Sequence, residues 1–95
     1  MIPARYLEQI KTMLFDFNQD GKCRFFLFGS SLARSRFGDV DIGVMGKVAD
    51  KDIGCLREKF RDSTLPYGVD VVDFNKVSKQ FKNNVLNNKV LWITS

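Results

Sequence analysis

The chain has 95 residues, of which 44% are hydrophobic and 27% are charged, and its formal net charge is +4. This length supports one core, so we expect residues 1–95 to form a single domain, and the composition excludes disordered and fibrous classes. No apolar run reaches the roughly 18 residues of a membrane span, and the first residues are not typical of a signal peptide. We therefore expect a cytoplasmic protein with no membrane partner. The positive charge weakly favours polyanionic partners, phosphates included.

The residue types that are missing narrow the chemistry further. Histidine is absent, which excludes Ser-His and Cys-His nucleophile systems and most zinc sites. Cys23 and Cys55 are too few and too far apart for a disulfide scaffold, and we expect both to be small core residues. Any catalysis must therefore rely on carboxylates, Lys, Arg, Ser, Tyr and bound metal.

The first half of the chain predicts two helices and two strands. Apolar residues recur at spacings of three and four over residues 4–18, which indicates an amphipathic helix. Residues 23–28, "CRFFLF", form a short aromatic-rich strand that ends at Gly29. The segment "SSLARS" suits a short helix that begins at Ser30, and "DVDIGV" at 39–44 is the second strand.

The second half continues the alternation of helices and strands. We expect Asp50 to cap a helix over 51–61, and "VDVVDF" at 69–74 to form the third strand. Ser78 caps a last helix, and "KVLWI" ends the chain as a short extended segment. This order predicts a layered α/β (α+β) domain with helices packed on a small mixed sheet.

Two carboxylates lie on one face of the second strand. Alternate residues of a strand share a face, so Asp39 and Asp41 point to one side while Val40, Ile42 and Val44 form the core side. The acidic face is expected to be open and polar, and its like charges must be neutralised. Oxygen ligands without His or Cys indicate a hard divalent cation, Mg²⁺ or Mn²⁺.

The third strand offers a further acid. Asp70 and Asp73 are three residues apart and therefore point to opposite faces. Asp73 shares its face with Val69 and Val71, the pattern of a core face with an acid at its end, so we expect a structural role for Asp73. Asp70 is the better match for the acidic face, where three carboxylates suffice to hold one or two metal ions for displacement at phosphorus.

The Gly29-Ser30 turn offers a seat for phosphate. Glycine allows the backbone to approach a ligand closely, and the N-terminus of a following helix presents free N–H groups and a positive dipole. Ser30 can add a hydroxyl donor, and Arg34 and Arg36 can add positive charge. The phosphate seat and the metal-binding pair are thus expected to share one nucleoside triphosphate.

The stretch "FGSSLARSRFGDVDIGV" followed by "LPYGVDVVDF" resembles the minimal nucleotidyltransferases of the DNA polymerase beta superfamily, and the resemblance covers nearly the whole chain. It implies the nucleotidyltransferase fold, with Gly29, Ser30, Ser31 and Arg34 at the triphosphate. It also implies that Asp39, Asp41 and Asp70 hold Mg²⁺ or Mn²⁺ and that Asp70 helps to deprotonate the attacking hydroxyl. The substrate would be ATP or another nucleoside triphosphate.

The resemblance further implies a function and a partner. Family members of this size pair with an all-helical HEPN-type protein, and in several pairs the small subunit is an antitoxin that adenylylates its toxin. We therefore expect metal-dependent transfer of a nucleoside monophosphate, AMP from ATP, to a hydroxyl on such a partner. Self-association into a homo-oligomer is left open.

Two other interpretations are weighed against this one. The spacer from Ser30 to Asp39 is shorter than the family's common form, which favours an inactive binding module that acts by docking to a partner. The basic charge and the strand "RFFLF" suit a small RNA-binding sheet. Direct nucleic-acid binding is the weakest interpretation, because the acidic face would repel a phosphate backbone unless metal were present.

Overall fold

Three helices and four strands form the part of the chain that the computed structural model describes, which is residues 2–19, 21–29 and 38–93. In chain order they are α1 (Ala4–Phe17), β1 (Cys23–Phe28), β2 (Asp39–Gly46), α2 (Asp50–Arg61), β3 (Gly68–Asp73), α3 (Lys79–Leu86) and β4 (Leu91–Ile93). The short helix expected from Ser30 lies outside the described residues. Within these ranges, no helix has the length and apolar character needed to cross a membrane.

The four strands form one mixed sheet in the order β3-β2-β1-β4. β1 pairs antiparallel with both β2 and β4, whereas β2 and β3 run parallel. Parallel neighbours need a crossover connection, and α2 provides it between β2 and β3. The mixed sheet confirms the expected α/β (α+β) class, and the extended segment predicted near the end of the chain is β4.

The main core lies between α1, α2 and one face of the sheet. α1 buries Ile10 and Leu14, and α2 buries a stripe at helical spacing formed by Ile53, Leu56 and Phe60. These side chains meet the inward face of the strands, whose buried residues are Cys23, Phe25, Leu27, Val40, Ile42, Val44, Val71 and Ile93. The alternation of valine and isoleucine with aspartate in β2 is therefore the alternation of core with the opposite face.

The opposite face of the sheet carries a second, aromatic cluster. The ring of Phe26 is fully buried and lies 4.8 Å from that of Phe74 and 5.0 Å from that of Trp92. α3 joins this cluster through Phe81, whose ring centroid is 5.6 Å from that of Phe74. The sequence-based expectation of an open, polar face is therefore wrong for the middle of the sheet, and the face is polar only where Asp39, Asp41 and Asp70 lie.

Of three local expectations, the structure confirms the first, contradicts the second and confirms the third only in part. Ser78 caps α3 as expected, because its Oγ accepts a hydrogen bond of 3.1 Å from the backbone N–H of Phe81. Asp50 is not the N-cap of α2, which begins one residue earlier than expected: Ala49 is the N-cap, and its N–H donates to Asp52 Oδ2 over 3.2 Å. Cys23 is buried, but Cys55 is exposed. The expectation of a core role for Cys55 is wrong because the residue lies beside the buried stripe of α2 and not on it.

We predict that Gly43→Ala destabilises the protein. A Cβ at Gly43 would overlap the ring of Phe26, and overpacking of this kind costs typically about 1–3 kcal/mol. The matched control is Gly54→Ala in α2, where a Cβ meets no described atom within 4 Å and should stabilise the helix by roughly 0.5–1 kcal/mol. Urea unfolding of both variants measures the difference. Equal stability of Gly43→Ala and the wild type would contradict the proposed contact.

Candidate functional site

Three carboxylates lie at one end of the sheet, on the face opposite the main core. Asp41 and Asp70 are directly paired across the parallel strands β2 and β3, and Asp39 is paired with Gly68. Neighbouring strands lie roughly 4.8 Å apart. Asp39, Asp41 and Asp70 are therefore neighbours on one face, as the strand alternation in the sequence indicated.

Asp73 lies on the other face and takes part in a turn. It pairs with Val44 of β2, whose side chain is fully buried in the main core. Its Oδ1 accepts hydrogen bonds from the backbone N–H of Asn75 over 2.9 Å and from Asn75 Nδ2 over 2.8 Å. Asn75 Nδ2 also donates to the carbonyl of Gly46 over 2.7 Å. Asp73 thus fixes the turn that follows β3.

Two glycines make space for the carboxylates. Gly29, at the end of β1, has a φ of +84°, and a Cβ there would overlap Asp41 Oδ2. A Cβ at Gly68, at the start of β3, would overlap Asp39 Oδ1. Glycine permits both the left-handed backbone at residue 29 and the close approach at both positions. The backbone on either side of β2 is therefore shaped around the two aspartates.

The electrostatics of the cluster are most evident at Asp41. This residue is half-buried, whereas Asp39 and Asp70 are exposed. Burial raises the pKa of the Asp41 carboxyl above its ordinary value of 3.8, and repulsion from Asp70 and then from Asp39 raises it further. Both effects disfavour the charged form. Holding Asp41 ionised at neutral pH therefore costs the folded protein free energy that a nearby cation would restore.

The donor set fits a hard divalent cation in its chemistry. All three side chains offer carboxylate oxygens, which Mg²⁺ and Mn²⁺ prefer. Within the described residues, no three side chains of His, Cys, Asp or Glu converge closely enough to hold a metal ion. Asp39 leans toward β3 and Asp41 toward the end of β1. Asp39, Asp41 and Asp70 are the residues that would hold such a cation, and the side chains of Asp39 and Asp70 are exposed.

The expected phosphate seat is described only in part. Gly29 lies beside Asp41, so the end of β1 and the carboxylates do meet. Ser30, Ser31, Arg34 and Arg36 lie outside the described residues, and their contacts with phosphate stay predictions.

Sequence reasoning missed a cleft beside Gly29. It has a volume of about 560 Å³ and lies between the end of β1 and α3, with a lining that includes Phe28, Gly29, Phe81, Asn84, Asn88 and Lys89. None of the α3 residues belongs to a recognisable motif. The available signal was the segment after Asp73, which is rich in lysine and asparagine and contains no acid.

Comparison with known proteins identifies the fold. No protein-family model and no curated protein matches the chain. A crystal structure of a toxin-antitoxin with AMP-PNP is 27% identical, with a TM-score of 0.63, and the match covers 90% of this chain and 74% of that one. The chain has the minimal nucleotidyltransferase fold.

Two further solved structures support the same conclusion. A point mutant of the toxin-antitoxin MntA-HpeT is 26% identical, with a TM-score of 0.65 over 90% of this chain and 73% of that one. A complex of tri-AMPylated Shewanella oneidensis HEPN toxin with MNT antitoxin is 26% identical, with a TM-score of 0.61 over 92% of this chain and 72% of that one. The resemblance read from the sequence is thereby confirmed, while the roles of Asp39, Asp41 and Asp70 stay predictions.

We predict that Asp41→Asn stabilises the metal-free nucleotidyltransferase fold at pH 7. When folding raises the pKa of a carboxyl, its protonated form stabilises the folded protein. This stabilisation is complete at pH values below the unfolded-state pKa, and it is lost as pH rises through the folded-state pKa. Because Asp41 is only half-buried and solvent screens the repulsion, removing the charge should raise Tm at pH 7 by only roughly 1–5 °C, as expected for a change below about 1 kcal/mol.

The difference between Asp41→Asn and the wild type should shrink as pH falls and be nearly gone at about pH 2.5, well below the ordinary carboxyl pKa of 3.8, where the Asp41 carboxyl is protonated in both the folded and the unfolded state. Thermal melts followed by circular dichroism, with a chelator present, measure both values. Asp16→Asn, at an exposed acid of α1, is the control and should change Tm little. A variant that melts below the wild type at pH 7 would contradict the proposed repulsion.

We predict that Gly29→Ala destabilises the protein by at least about 1–2 kcal/mol, the cost of a left-handed conformation for a residue with a Cβ. The variant also displaces the Asp41 carboxylate that the new Cβ would overlap. Gly38→Ala is the matched control, because a Cβ there meets no described atom within 4 Å. Urea unfolding should separate the two variants, and equal midpoints would show that the close approach at Gly29 is absent.

Proposed function

We propose that this chain is a metal-dependent nucleotidyltransferase that moves AMP from ATP to a hydroxyl group on a HEPN-type partner protein. Its role would be that of the antitoxin in a toxin-antitoxin pair. The observation that carries the proposal is the direct pairing of Asp41 with Asp70, beside Asp39 and next to the Gly29 backbone. Crystal structures of the same fold with AMP-PNP and with a tri-AMPylated HEPN toxin support the choice of nucleotide and of partner.

The reaction would be a displacement at the α-phosphorus of ATP. The acceptor oxygen forms a bond to this phosphorus while the bond to the bridging oxygen of the β-phosphate breaks, so AMP stays on the acceptor and pyrophosphate leaves. A divalent cation held by the three aspartates would neutralise the charge that develops on the phosphate oxygens. The backbone at Gly29 can approach the triphosphate closely because the residue has no side chain.

Asp70 is proposed to receive the proton of the attacking hydroxyl. It is exposed and belongs to β3, which is an edge strand of the sheet. A cleft of about 400 Å³ along this edge is lined in part by Asp70 and Arg57. Arg57 donates two hydrogen bonds, of 2.7 and 3.2 Å, to the carbonyl of Val71. A partner's hydroxyl could therefore reach Asp70 from outside the sheet, along a strand edge that Arg57 holds in place.

We predict that Asp39→Asn, Asp41→Asn and Asp70→Asn each reduce AMP transfer by about a hundredfold or more, the loss typical when one preorganised electrostatic group is removed. Asp73→Asn is the matched control on the same strand as Asp70 and should keep transfer within about threefold, since the amide retains the Oδ1 that Asn75 uses. The assay incubates the chain with α-labelled ATP, Mg²⁺ and a HEPN-type partner protein, and counts label on that protein.

Two results would overturn this function. One is the absence of label on the partner with wild-type protein that also shows no metal-dependent ATP binding, and the other is equal transfer by wild type and Asp70→Asn. Calorimetry with ATP and Mg²⁺ then separates an inactive docking module from an enzyme tested with the wrong acceptor. A docking module should show no metal-dependent nucleotide binding, whereas an enzyme should bind ATP and lose that binding in Asp41→Asn.

A further inference from the structure

We propose that Arg57 is a positioning residue that fixes Asp70 beside the other two carboxylates of the candidate site by holding the outer edge of β3. The proposal deepens the proposed function and rests on it, because Asp70 is the carboxylate that would receive the proton. Asp39 and Asp41 belong to β2, which is paired with β1 on one side and with β3 on the other. Asp70 belongs to β3, an edge strand of the described sheet. Of the three carboxylates, Asp70 therefore lies on the strand that the sheet supports least.

Repulsion acts on the strand pairing that places Asp70. Asp41 and Asp70 are directly opposite each other in the register of β2 and β3. Like charges directly opposite on neighbouring strands destabilise the pairing of those strands. In the absence of a cation, the carboxylates thus favour separation of β3 from β2, and this separation moves Asp70 away from the other two aspartates. A contact that holds the edge strand in place opposes this movement.

The backbone groups on the outer edge of β3 are identified by the ladder that joins β3 to β2. The N–H of Phe74 donates to the carbonyl of Val44 in β2 over 2.8 Å. Because alternate residues of a strand direct their backbone groups to opposite edges, the N–H and C=O of Asp70 face β2 and the carbonyl of Val71 faces outward. The outer edge of a sheet presents such groups without a partner strand. The carbonyl of Val71 is therefore the place where the edge can be held next to Asp70.

Arg57 binds this outward carbonyl. Its Nε and Nη2 donate to the Val71 oxygen over 3.2 and 2.7 Å. The guanidinium extends from α2, and the adjacent residue Leu56 is fully buried in the main core, so the helix that carries Arg57 is fixed against the sheet. The side chain of Val71 is also fully buried. The residue that follows Asp70 is thus held twice, in the core by its side chain and at the edge by Arg57.

The guanidinium suits this contact better than an ammonium group would. Its N–H groups form a rigid fork, so two of them can reach one carbonyl, whereas a lysine ammonium is a point charge on a flexible stem. Arg57 makes no ion pair within the described part of the chain. It lines the same cleft of about 400 Å³ as Asp70. Ligands of a metal site must be held to within roughly 0.5 Å by the residues around them, and Arg57 is placed to do this for the edge strand.

The first test measures hydrogen exchange of the metal-free chain. Arg57→Met keeps an unbranched stem and removes the donors. It should make the Asp70 and Val72 amides, which face β2, exchange about tenfold faster, because the loss of the hydrogen bonds makes local opening of the edge easier. Amides of β1 should keep their wild-type rates, because β1 is paired on both sides. Arg61→Met is the matched control, since Arg61 is exposed on the same helix and forms its ion pair with the adjacent Asp62.

The second test asks whether Arg57 acts through Asp70. Mn²⁺ is the probe, and electron paramagnetic resonance measures the free ion. Arg57→Met should raise the Kd for Mn²⁺ about tenfold, the lower end of the roughly 10–100-fold loss that is typical when a group supporting a metal ligand is removed. In an Asp70→Asn background, Arg57→Met should raise the Kd no further, whereas in an Asp39→Asn background it should still do so. A role in general stability would act alike in both backgrounds.

Arg57→Lys tests for rescue and serves as a second variant if Arg57→Met fails to fold. Its ammonium can donate to the Val71 carbonyl, so the exchange rates and the Kd for Mn²⁺ should lie between those of the wild type and of Arg57→Met. Wild-type exchange at Asp70 in the Arg57 variants would overturn the proposal. An equal effect of these variants on Mn²⁺ affinity in the Asp70→Asn and Asp39→Asn backgrounds would also overturn it.

These outcomes are distinct from failure of the proposed function, because the measurements need neither partner nor nucleotide. A chain that shows the expected dependence on Arg57 but transfers no AMP would refute the function and keep the positioning role. Transfer of AMP by a chain whose Mn²⁺ affinity does not depend on Arg57 would do the opposite. A wild-type chain that binds no Mn²⁺ would overturn both.

Discussion

The parallel pairing of β2 with β3 is the constraint on which the rest of the molecule depends. It sets Asp41 directly beside Asp70, with Asp39 two residues away on the same face. Three like charges at the end of one sheet oppose folding. The same strands offset that cost on their other face, where Val40, Ile42 and Val71 are fully buried. Because successive side chains alternate between faces, the strand segment that stabilises the fold also presents the three carboxylates of the candidate site.

The aromatic cluster on the acidic face limits where the site can be. Phe26 lies over Gly43 and closes the middle of that face, so the polar groups are confined to the end of the sheet. Asp41 lies at the boundary, flanked by Phe28 on β1 and by Asp70 on β3. The Asp41 carboxylate is therefore partly shielded from water on one side and lies beside a like charge on the other. Burial and repulsion both raise its pKa. A carboxylate in this position benefits more from a cation than a solvated one would.

Sequence reasoning was reliable where the signal is local and periodic. The alternation in "DVDIGV" and "VDVVDF" was enough to separate Asp70 from Asp73, and the spacing of Ile53, Leu56 and Phe60 was enough to find α2. The same spacing already excludes Cys55 from the buried stripe, so its exposure was predictable. The order of the strands and the position of β4 beside β1 were not, because pairing between distant segments leaves no local trace. The cleft lining at Asn84 and Lys89 was missed for the same reason.

The charges of the molecule are divided between the aspartate cluster on β2 and β3 and the lysines that follow Asp73. An acidic cluster repels a triphosphate unless positive charges, both close to it and farther away, offset the repulsion. A divalent cation among the aspartates would act at short range, where water is partly excluded and the attraction is strong. The lysines after Asp73 would act on such a ligand at longer range, over a Debye length of about 8–10 Å at ordinary ionic strength. Their segregation into the acid-free segment that contains α3 places one of them, Lys89, in the cleft that Gly29 also lines.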